Sequence, residues 1–240
     1  MKVLAIIPAY NEAETLESVV EDIRENAPQC DYVIVNDCST DNTRDVCREN
    51  GFNVINLPFN LGIGGAMQTG YKYALRHGYD VAVQIDGDGQ HMAHYIDGAL
   101  EKLAAENADL IIGSRYIDKE GFQSGALRRM GIKYFAWLIR LLTGKRVTDP
   151  TSGFRAAGRG AIELFAHHYP VDFPEPETLV LLARNGYKML EISVEMKTRS
   201  AGKSSITPLK SIYYMVKVSL SMLFAWKEQV QPTDAFSANV

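Results

Sequence analysis

Val81-Ala-Val-Gln-Ile-Asp-Gly-Asp-Gly-Gln-His91 is a short apolar run that stops abruptly at two closely spaced carboxylates. Val81 to Ile85 reads as a buried strand. Gly87 and Gly89 permit a sharp turn that leaves Asp86, Asp88 and Gln90 at the strand's C-terminal end. That end is where open α/β sheets bind ligands. Hard oxygen donors, few in number and clustered on a tight turn, suit Mg²⁺ or Mn²⁺ held jointly by the protein and a substrate's phosphates. A plain Asp-Gly-Asp-Gly turn uses the same residue types, so the rest of the chain has to decide between the two.

Working outward, Val3 to Pro8 is another continuous apolar run and predicts a central parallel strand, which Pro8 can terminate because proline supplies no ladder donor. Glu12 to Ala27 has helical spacing at Leu16, Val19, Val20 and Ile23. Tyr32 to Asp37 predicts a second strand, with Ser39 and Thr40 as candidate caps for a helix to about Asn50. Phe52 to Leu57 predicts a third strand, and Asn60 to His77 a loop opening into a helix. After the Val81 strand, a helix over roughly Ala93 to Asn107 leads to a strand at Asp109 to Gly113. Strands alternating with helices specify an α/β, doubly wound, mostly parallel sheet flanked by helices on both faces.

At 240 residues the chain is one domain, or one domain with an appendage. Apolar and charged contents of 46% and 22% are ordinary for a globular protein, and a net charge of −4 argues against a general nucleic-acid binder. Cys30, Cys38 and Cys47 lack Cys-x-x-Cys spacing and are odd in number, which indicates neither a disulfide framework nor a zinc site. His91 beside the turn reads as a loop residue. The residues before Val3 show no basic region followed by a long apolar core, so no secretory leader and a cytoplasmic location are expected. A dinucleotide-binding fingerprint needs Gly-x-Gly-x-x-Gly after the first strand, where this chain has Pro8-Ala-Tyr-Asn-Glu12. Gly62, Gly64 and Gly65 follow the third strand instead and suit close helix packing or a turn. Gly202-Lys-Ser204 lacks the first glycine of a phosphate-binding loop, because position 197 is Lys197.

Pro8-Ala-Tyr-Asn-Glu12, Val35-Asn-Asp-Cys-Ser39, Asn60-Leu-Gly62, Asp86-Gly-Asp-Gly-Gln90 and Gly113-Ser-Arg-Tyr116, in this order, resemble the nucleotide-sugar half of inverting family 2 glycosyltransferases of GT-A fold. Asp149-Pro-Thr-Ser-Gly-Phe-Arg155 and Arg199-x-x-Gly202-x-Ser204 resemble the polyprenyl-phosphate sugar synthase branch, which includes dolichol-phosphate mannose synthase. The resemblance covers about residues 2–205. It implies a metal at Asp86, Asp88 and Gln90, a nucleoside site at Pro8, Tyr10, Glu12 and Asp37, and Arg115 near the phosphates or the acceptor. Two departures stand out. Met92-Ala93 replaces the Asp-Pro or Pro-Pro pair common after Gln-His, and Phe173-Pro-Glu-Pro-Glu177 stands where many relatives carry a Glu-Asp base motif.

Transfer from a nucleoside diphosphate sugar breaks the anomeric carbon–oxygen bond, and negative charge grows on the leaving diphosphate. A divalent cation and preplaced cationic side chains stabilise that charge, and Arg115, Arg199 and Lys203 are the candidates. A phosphate monoester acceptor, with a second pKa of about 6, is already ionised near neutral pH and needs no strong base. A sugar hydroxyl would need a carboxylate, for which Glu175 or Glu177 is available. Asp149 is expected to orient the acceptor or contact the metal region, and Arg155 to lie near the acceptor phosphate. The expected reaction moves a sugar from a nucleoside diphosphate sugar to a polyprenyl phosphate. The alternatives are transfer to a polysaccharide or glycolipid hydroxyl, or a non-catalytic nucleotide-sugar-binding subunit.

Between Thr207 and Glu228, Lys210, Lys217, Ser221 and Glu228 fall on one narrow stripe of a helix whose remaining circumference is largely apolar. The apolar run is too short to span a bilayer and carries Lys217 within it, so an interfacial or partner-packed amphipathic helix is expected. Leu127 to Leu142 repeats the pattern, with Arg129, Lys133 and Arg140 opposite Phe135, Leu138, Ile139 and Leu142. The expected organisation is a catalytic domain over 1–205, an amphipathic helix over 206–228 and a flexible tail over 229–240. The expected place is the cytoplasmic face of the membrane, reached through the surface itself, a small membrane-anchoring subunit or self-association.

Overall fold

The computed structural model describes residues 1–118, 125–172, 174–197 and 208–227. Its elements are β1 (Val3–Ala9), α1 (Leu16–Asn26), β2 (Cys30–Asn36), α2 (Thr43–Glu49), β3 (Val54–Asn56), α3 (Gly62–Arg76), β4 (Val81–Gln84), α4 (Tyr95–Ala105), β5 (Leu110–Ser114), α5 (Ala126–Thr143), β6 (Arg155–Gly158), α6 (Arg159–His167), α7 (Pro174–Arg184), β7 (Met189–Ser193) and α8 (Pro208–Lys227). The strands form one sheet in the order β3-β2-β1-β4-β6-β5-β7, parallel except for β6, which runs against both β4 and β5. Two apolar cores cover the sheet. Leu4, Ile6, Met67, Phe135, Phe165 and Leu179 belong to one, and Ile7, Val20, Ile34, Val83, Ile96 and Ile111 to the other. Burial on both faces is what makes the parallel strands read as unbroken apolar runs.

Pro8 lies inside β1 and does not end it. The pairing with β4 extends only to Ile6↔Gln84, followed by the Ile85 amide donating to Ile6 O at 3.0 Å. At Pro8 only β2 is still a neighbour, so its missing N–H leaves no gap in a ladder. The first helix starts at Leu16, four residues later than its periodicity suggests. Residues 12–15 form a separate turn in which Glu12 O accepts the amides of Thr15 and Leu16. Ser39 and Thr40 do not cap α2. Asp41 Oδ1 accepts the Thr43 amide at 2.9 Å, while Ser39 Oγ accepts the Asn11 amide at 3.0 Å. The Asn60-Leu-Gly glycines act as expected: Gly62 takes φ +74°, and a Cβ at Gly64 would lie 2.0 Å from Pro170 O.

α5 and α8 pack against α7 and each other, burying Ile132, Phe135, Ile139, Val218, Met222 and Ala225. Phe135 and Tyr214 meet edge to face, and Tyr134 Oη lies 3.1 Å from Ser219 Oγ. Opposite this buried seam both helices expose large apolar side chains. These are Met130, Tyr134, Trp137 and Leu141 on α5, and Tyr213, Val216, Leu220, Leu223 and Phe224 on α8. Lys217 is ion-paired with Asp172. Among the described residues, no helix is long and apolar enough to cross a membrane. The tail expected over 229–240 lies outside the described residues.

Two glycines of opposite character test this packing. Gly64→Ala drives a methyl group into main-chain carbonyls and is expected to cost about 3 kcal/mol or more. Gly98→Ala in α4, where a Cβ meets nothing within 4 Å, is expected to gain about 0.5–1 kcal/mol. Urea unfolding midpoints of the two variants should move in opposite directions.

Candidate active site

β1 and β4 are neighbours, yet the chain leaves β1 for β2 over one face through α1 and returns to β4 over the other through α3. This reversal opens a crevice at the strands' C-terminal ends. Three loops close around it. Asn11, at φ +59°, accepts the amides of Thr40 and Asp41 on Oδ1, tying the loop after β1 to the loop after β2. Thr15 Oγ1 donates to Gly87 O at 2.6 Å, tying it to the turn after β4. The resulting cleft, of about 230 Å³, is lined by Pro8, Ala9, Tyr10, Glu12, Asp37, Ile63, Ala66, Gln84, Asp86, Gly87, Asp88 and Glu175. Five of these carry carboxylates and none is a lysine or arginine. A free diphosphate would be repelled, whereas the same diphosphate carrying a divalent ion would be attracted.

Asp86 sits in a fitted cage. Its Oδ1 accepts from Gln84 Nε2 at 2.9 Å, and its Oδ2 faces His91 Nε2 at 3.6 Å. The Asp86 amide donates to His91 Nδ1 at 3.0 Å, which puts the imidazole proton on Nε2, pointing at the carboxylate. His91 is buried and packs edge-on against Phe154. A Cβ at Gly153 would come within 2.7 Å of Asp86 Oδ2, so glycine is needed there. His91 is a loop residue, as expected, and from that loop it holds the Asp86 amide. Its place three residues beyond the second carboxylate was the only sequence signal for that role.

Asp88 Oδ1 accepts the Gln90 amide at 3.1 Å, and Gln90 Nε2 donates to Lys197 O at 3.2 Å. Asp86, Asp88 and Gln90 thus sit on one turn at the cleft. Among the described residues, no three His, Cys, Asp or Glu side chains group closely enough to hold an ion on their own. The donor set fits a hard ion that takes its remaining ligands from a substrate's phosphates. Asp37 is buried; its Oδ1 accepts the Leu61 amide at 2.7 Å, and so positions the loop that enters α3.

Arg115 and Asp149 form a buried bidentate pair, Nε to Oδ2 at 2.6 Å and Nη2 to Oδ1 at 2.8 Å. Burial opposes the Arg115 charge, but the Asp149 hydrogen bonds and charge prevail and raise its pKa. Glu191 accepts the amides of Thr148 and Asp149; burial pushes its own pKa up despite these donors. Arg115 is therefore committed to the protein and is not on the cleft's lining. Arg155, expected near an acceptor phosphate, is 1% exposed and buried in the core. Its guanidinium donates to Ser152 O, Pro150 O, Glu175 O and Thr178 Oγ1, clasping the loop after α5 to the first turn of α7. Arg199 and Lys203 lie outside the described residues. Glu175, named only as a base for the hydroxyl-acceptor alternative, lines the cleft, and burial raises its pKa against the pull of Arg155.

A doubly wound sheet with this antiparallel β6 and this cleft is the GT-A fold of nucleotide-sugar-dependent transferases. Glucosyl-3-phosphoglycerate synthase from Mycobacterium tuberculosis, solved in complex with Mn²⁺, UDP-glucose and phosphoglyceric acid, matches with a TM-score of 0.70 at 18% identity, over 96% of this chain and 81% of that one. The chain belongs to glycosyl transferase family 2, whose model matches residues 4–165. Among its relatives, the undecaprenyl-phosphate mannosyltransferase of Micrococcus luteus is 31% identical, with 86% of this chain and 88% of the relative covered. The polyprenol monophosphomannose synthase of Mycolicibacterium smegmatis is 28% identical, with coverage of 91% and 86%.

The Arg115–Asp149 pair gives a direct test of the scaffold. Asp149→Ala leaves a buried guanidinium uncompensated and is expected to cost about 3–5 kcal/mol in urea unfolding. The double variant Arg115→Met/Asp149→Leu should recover most of that loss.

Proposed function

We propose that this protein transfers a sugar from a nucleoside diphosphate sugar to a polyprenyl phosphate, with inversion at the anomeric carbon. The observation that carries this reading is the anionic cleft at the sheet's switch point, with Asp86 and Asp88 on one turn of it. Relatives named for transfer to undecaprenyl and polyprenol phosphates support the acceptor class.

Asp86, Asp88 and Gln90 would hold Mg²⁺ or Mn²⁺. When bound, the ion supplies Lewis-acid neutralisation of the departing diphosphate. Gln84 donates to the Asp86 carboxylate and His91 holds the Asp86 amide before substrate arrives, so little reorganisation is needed during reaction. Pro8, Tyr10, Glu12 and Asp37 form the nucleoside end of the cleft, where Glu12 and Asp37 offer acceptors to ribose hydroxyls. An acceptor phosphate oxygen attacks the anomeric carbon as the bond to the leaving diphosphate oxygen breaks. Because that phosphate is already ionised at neutral pH, no protein base is required. Asp149 and Arg115 act as a rigid pair behind the site, and Asp149 holds the arginine's positive charge in place.

The exposed apolar faces of α5 and α8 are the surface for the membrane that carries the acceptor. Arg129, Lys133 and Arg140 are exposed beside the α5 stripe, suited to anionic head groups at about 1 kcal/mol per residue. On this reading the protein is peripheral on the cytoplasmic face. Binding to protein-free vesicles separates direct docking from dependence on an anchoring subunit or a second copy.

Two measurements test the proposal. Asp88→Ala, or EDTA on the wild type, is expected to lower formation of an acid-labile polyprenyl phosphosugar by at least about a hundredfold; full turnover in Asp88→Ala defeats the assignment. In flotation assays the wild type should rise with phosphatidylglycerol vesicles, while Trp137→Glu/Phe224→Glu stays at the bottom of the gradient.

A further inference from the structure

We propose that Glu175 and Gln84 form the subsite for the transferred sugar and select a neutral, hydroxyl-bearing sugar over a uronic acid. The inference rests on the functional reading above and deepens it. Strand order ranks the polar groups along the cleft. Asp37 follows β2, Glu12 follows β1, and Asp86 and Asp88 follow β4. Next comes β6, whose first residue, Arg155, grips the carbonyl of Glu175 at 2.7 Å. A nucleoside diphosphate sugar is linear in the same sense, with its diphosphate between nucleoside and sugar. If the diphosphate meets Asp86 and Asp88 and the nucleoside lies toward Asp37, the sugar falls against Glu175.

What lines that end is built to accept hydrogen bonds. Gln84 is 1% exposed, and its Nε2 is committed to Asp86 Oδ1, which fixes the amide's orientation. Its Oε1 is left buried and without a hydrogen-bond partner among the described residues, although the residue lines the cleft. A buried oxygen of this kind normally has a hydrogen-bond partner, and one beside a cleft is open to a ligand hydroxyl or a bound water. Glu175 stands in the first turn of α7 between Pro174 and Pro176, and Arg155 and Thr178 clamp its backbone. The guanidinium of Arg155 spends its hydrogen bonds on Ser152 O, Pro150 O, Glu175 O and Thr178 Oγ1 and makes none to the Glu175 carboxylate. That carboxylate accepts its own amide, and Glu175 lines the cleft. Ile63 and Ala66 supply the apolar wall for the C–H face of a sugar ring.

Two oxygen acceptors over an apolar wall match a ring that presents hydroxyl donors. A sugar carboxylate would instead be placed against Glu175 in a half-buried site, where like charges are poorly screened. A site built to hydrogen-bond hydroxyl groups discriminates strongly against a partner that cannot donate.

The test is calorimetry with Mn²⁺ on the full chain, using UDP, UDP-glucose and UDP-glucuronate, or GDP, GDP-mannose and GDP-mannuronate, according to which diphosphate binds. In the wild type the neutral sugar is expected to improve the diphosphate's Kd by about tenfold, and the uronate to give no improvement. Glu175→Gln should keep the bare diphosphate's Kd within about twofold, remove most of the neutral-sugar gain and bind the uronate about tenfold more tightly than the wild type does. A merely structural role for Glu175 would not produce that gain. Unchanged sugar increments in Glu175→Gln, with the diphosphate still bound, overturn the subsite alone. If neither diphosphate binds with Mn²⁺, the functional reading falls and the subsite with it.

Discussion

The cleft depends on the approach of two backbones at its floor. A Cβ at Gly87 would stand 2.9 Å from the carbonyl oxygen of Pro8. That approach lets the turn after β4 fold back over the end of β1, and the Thr15 hydroxyl then bridges to Gly87 O from the other side. With the two strand ends locked, groups from β2, β1 and β4 share one cleft without any single loop having to be long. Pro8 contributes from its own side, since a residue with a free N–H there would carry an unpaired donor into the same crowded junction.

Buried charge forms the second layer of this design. Arg115, Asp149 and Arg155 are all within the protein, and each has its polar atoms engaged. Such pairs add little net stability over apolar replacements, because desolvation offsets most of the attraction. Their value lies in geometry. A planar guanidinium bonded to several carbonyls fixes the relative position of every segment it touches. Arg155 thereby links the Asp149 loop, β6 and α7, so that Asp149 and Glu175 keep their places relative to the carboxylates on β4.

The half of the chain before Ser114 was legible because its strands are buried on both faces and read as unbroken apolar runs. The half after it was less so. Arg155-Ala-Ala-Gly158 has neither alternation nor bulk, and becomes a strand only because β4 and β5 offer it edges on both sides. Arg155 was expected near the acceptor phosphate from the resemblance, and nothing local reveals the two acceptors that α7 brings to it, Glu175 O and Thr178 Oγ1. The support given by His91 was not legible either: its partner is the backbone amide at the start of its own turn, a contact that depends on the turn's exact path. The carboxylates at 86 and 88 were readable because a strand end and two glycines specify their surroundings locally.

α8 joins the two ends of the proposed reaction. On its inner side Tyr214 is half-buried against Phe135, its pKa raised by burial and by the charge of Glu175. On its outer side Leu220 and Phe224 are exposed, in line with Trp137 and Leu141 of α5. The thickness of α8, about 10 Å, therefore separates its apolar outer face from its packed inner side. A polyprenyl phosphate embedded by its tail cannot move its phosphate far from the head-group plane, so a transferase for it must bring its sugar end close to that plane. Placing the sugar against Glu175 and the bilayer against α5 and α8 meets that requirement, because α8 packs directly on α7, the helix that carries Glu175.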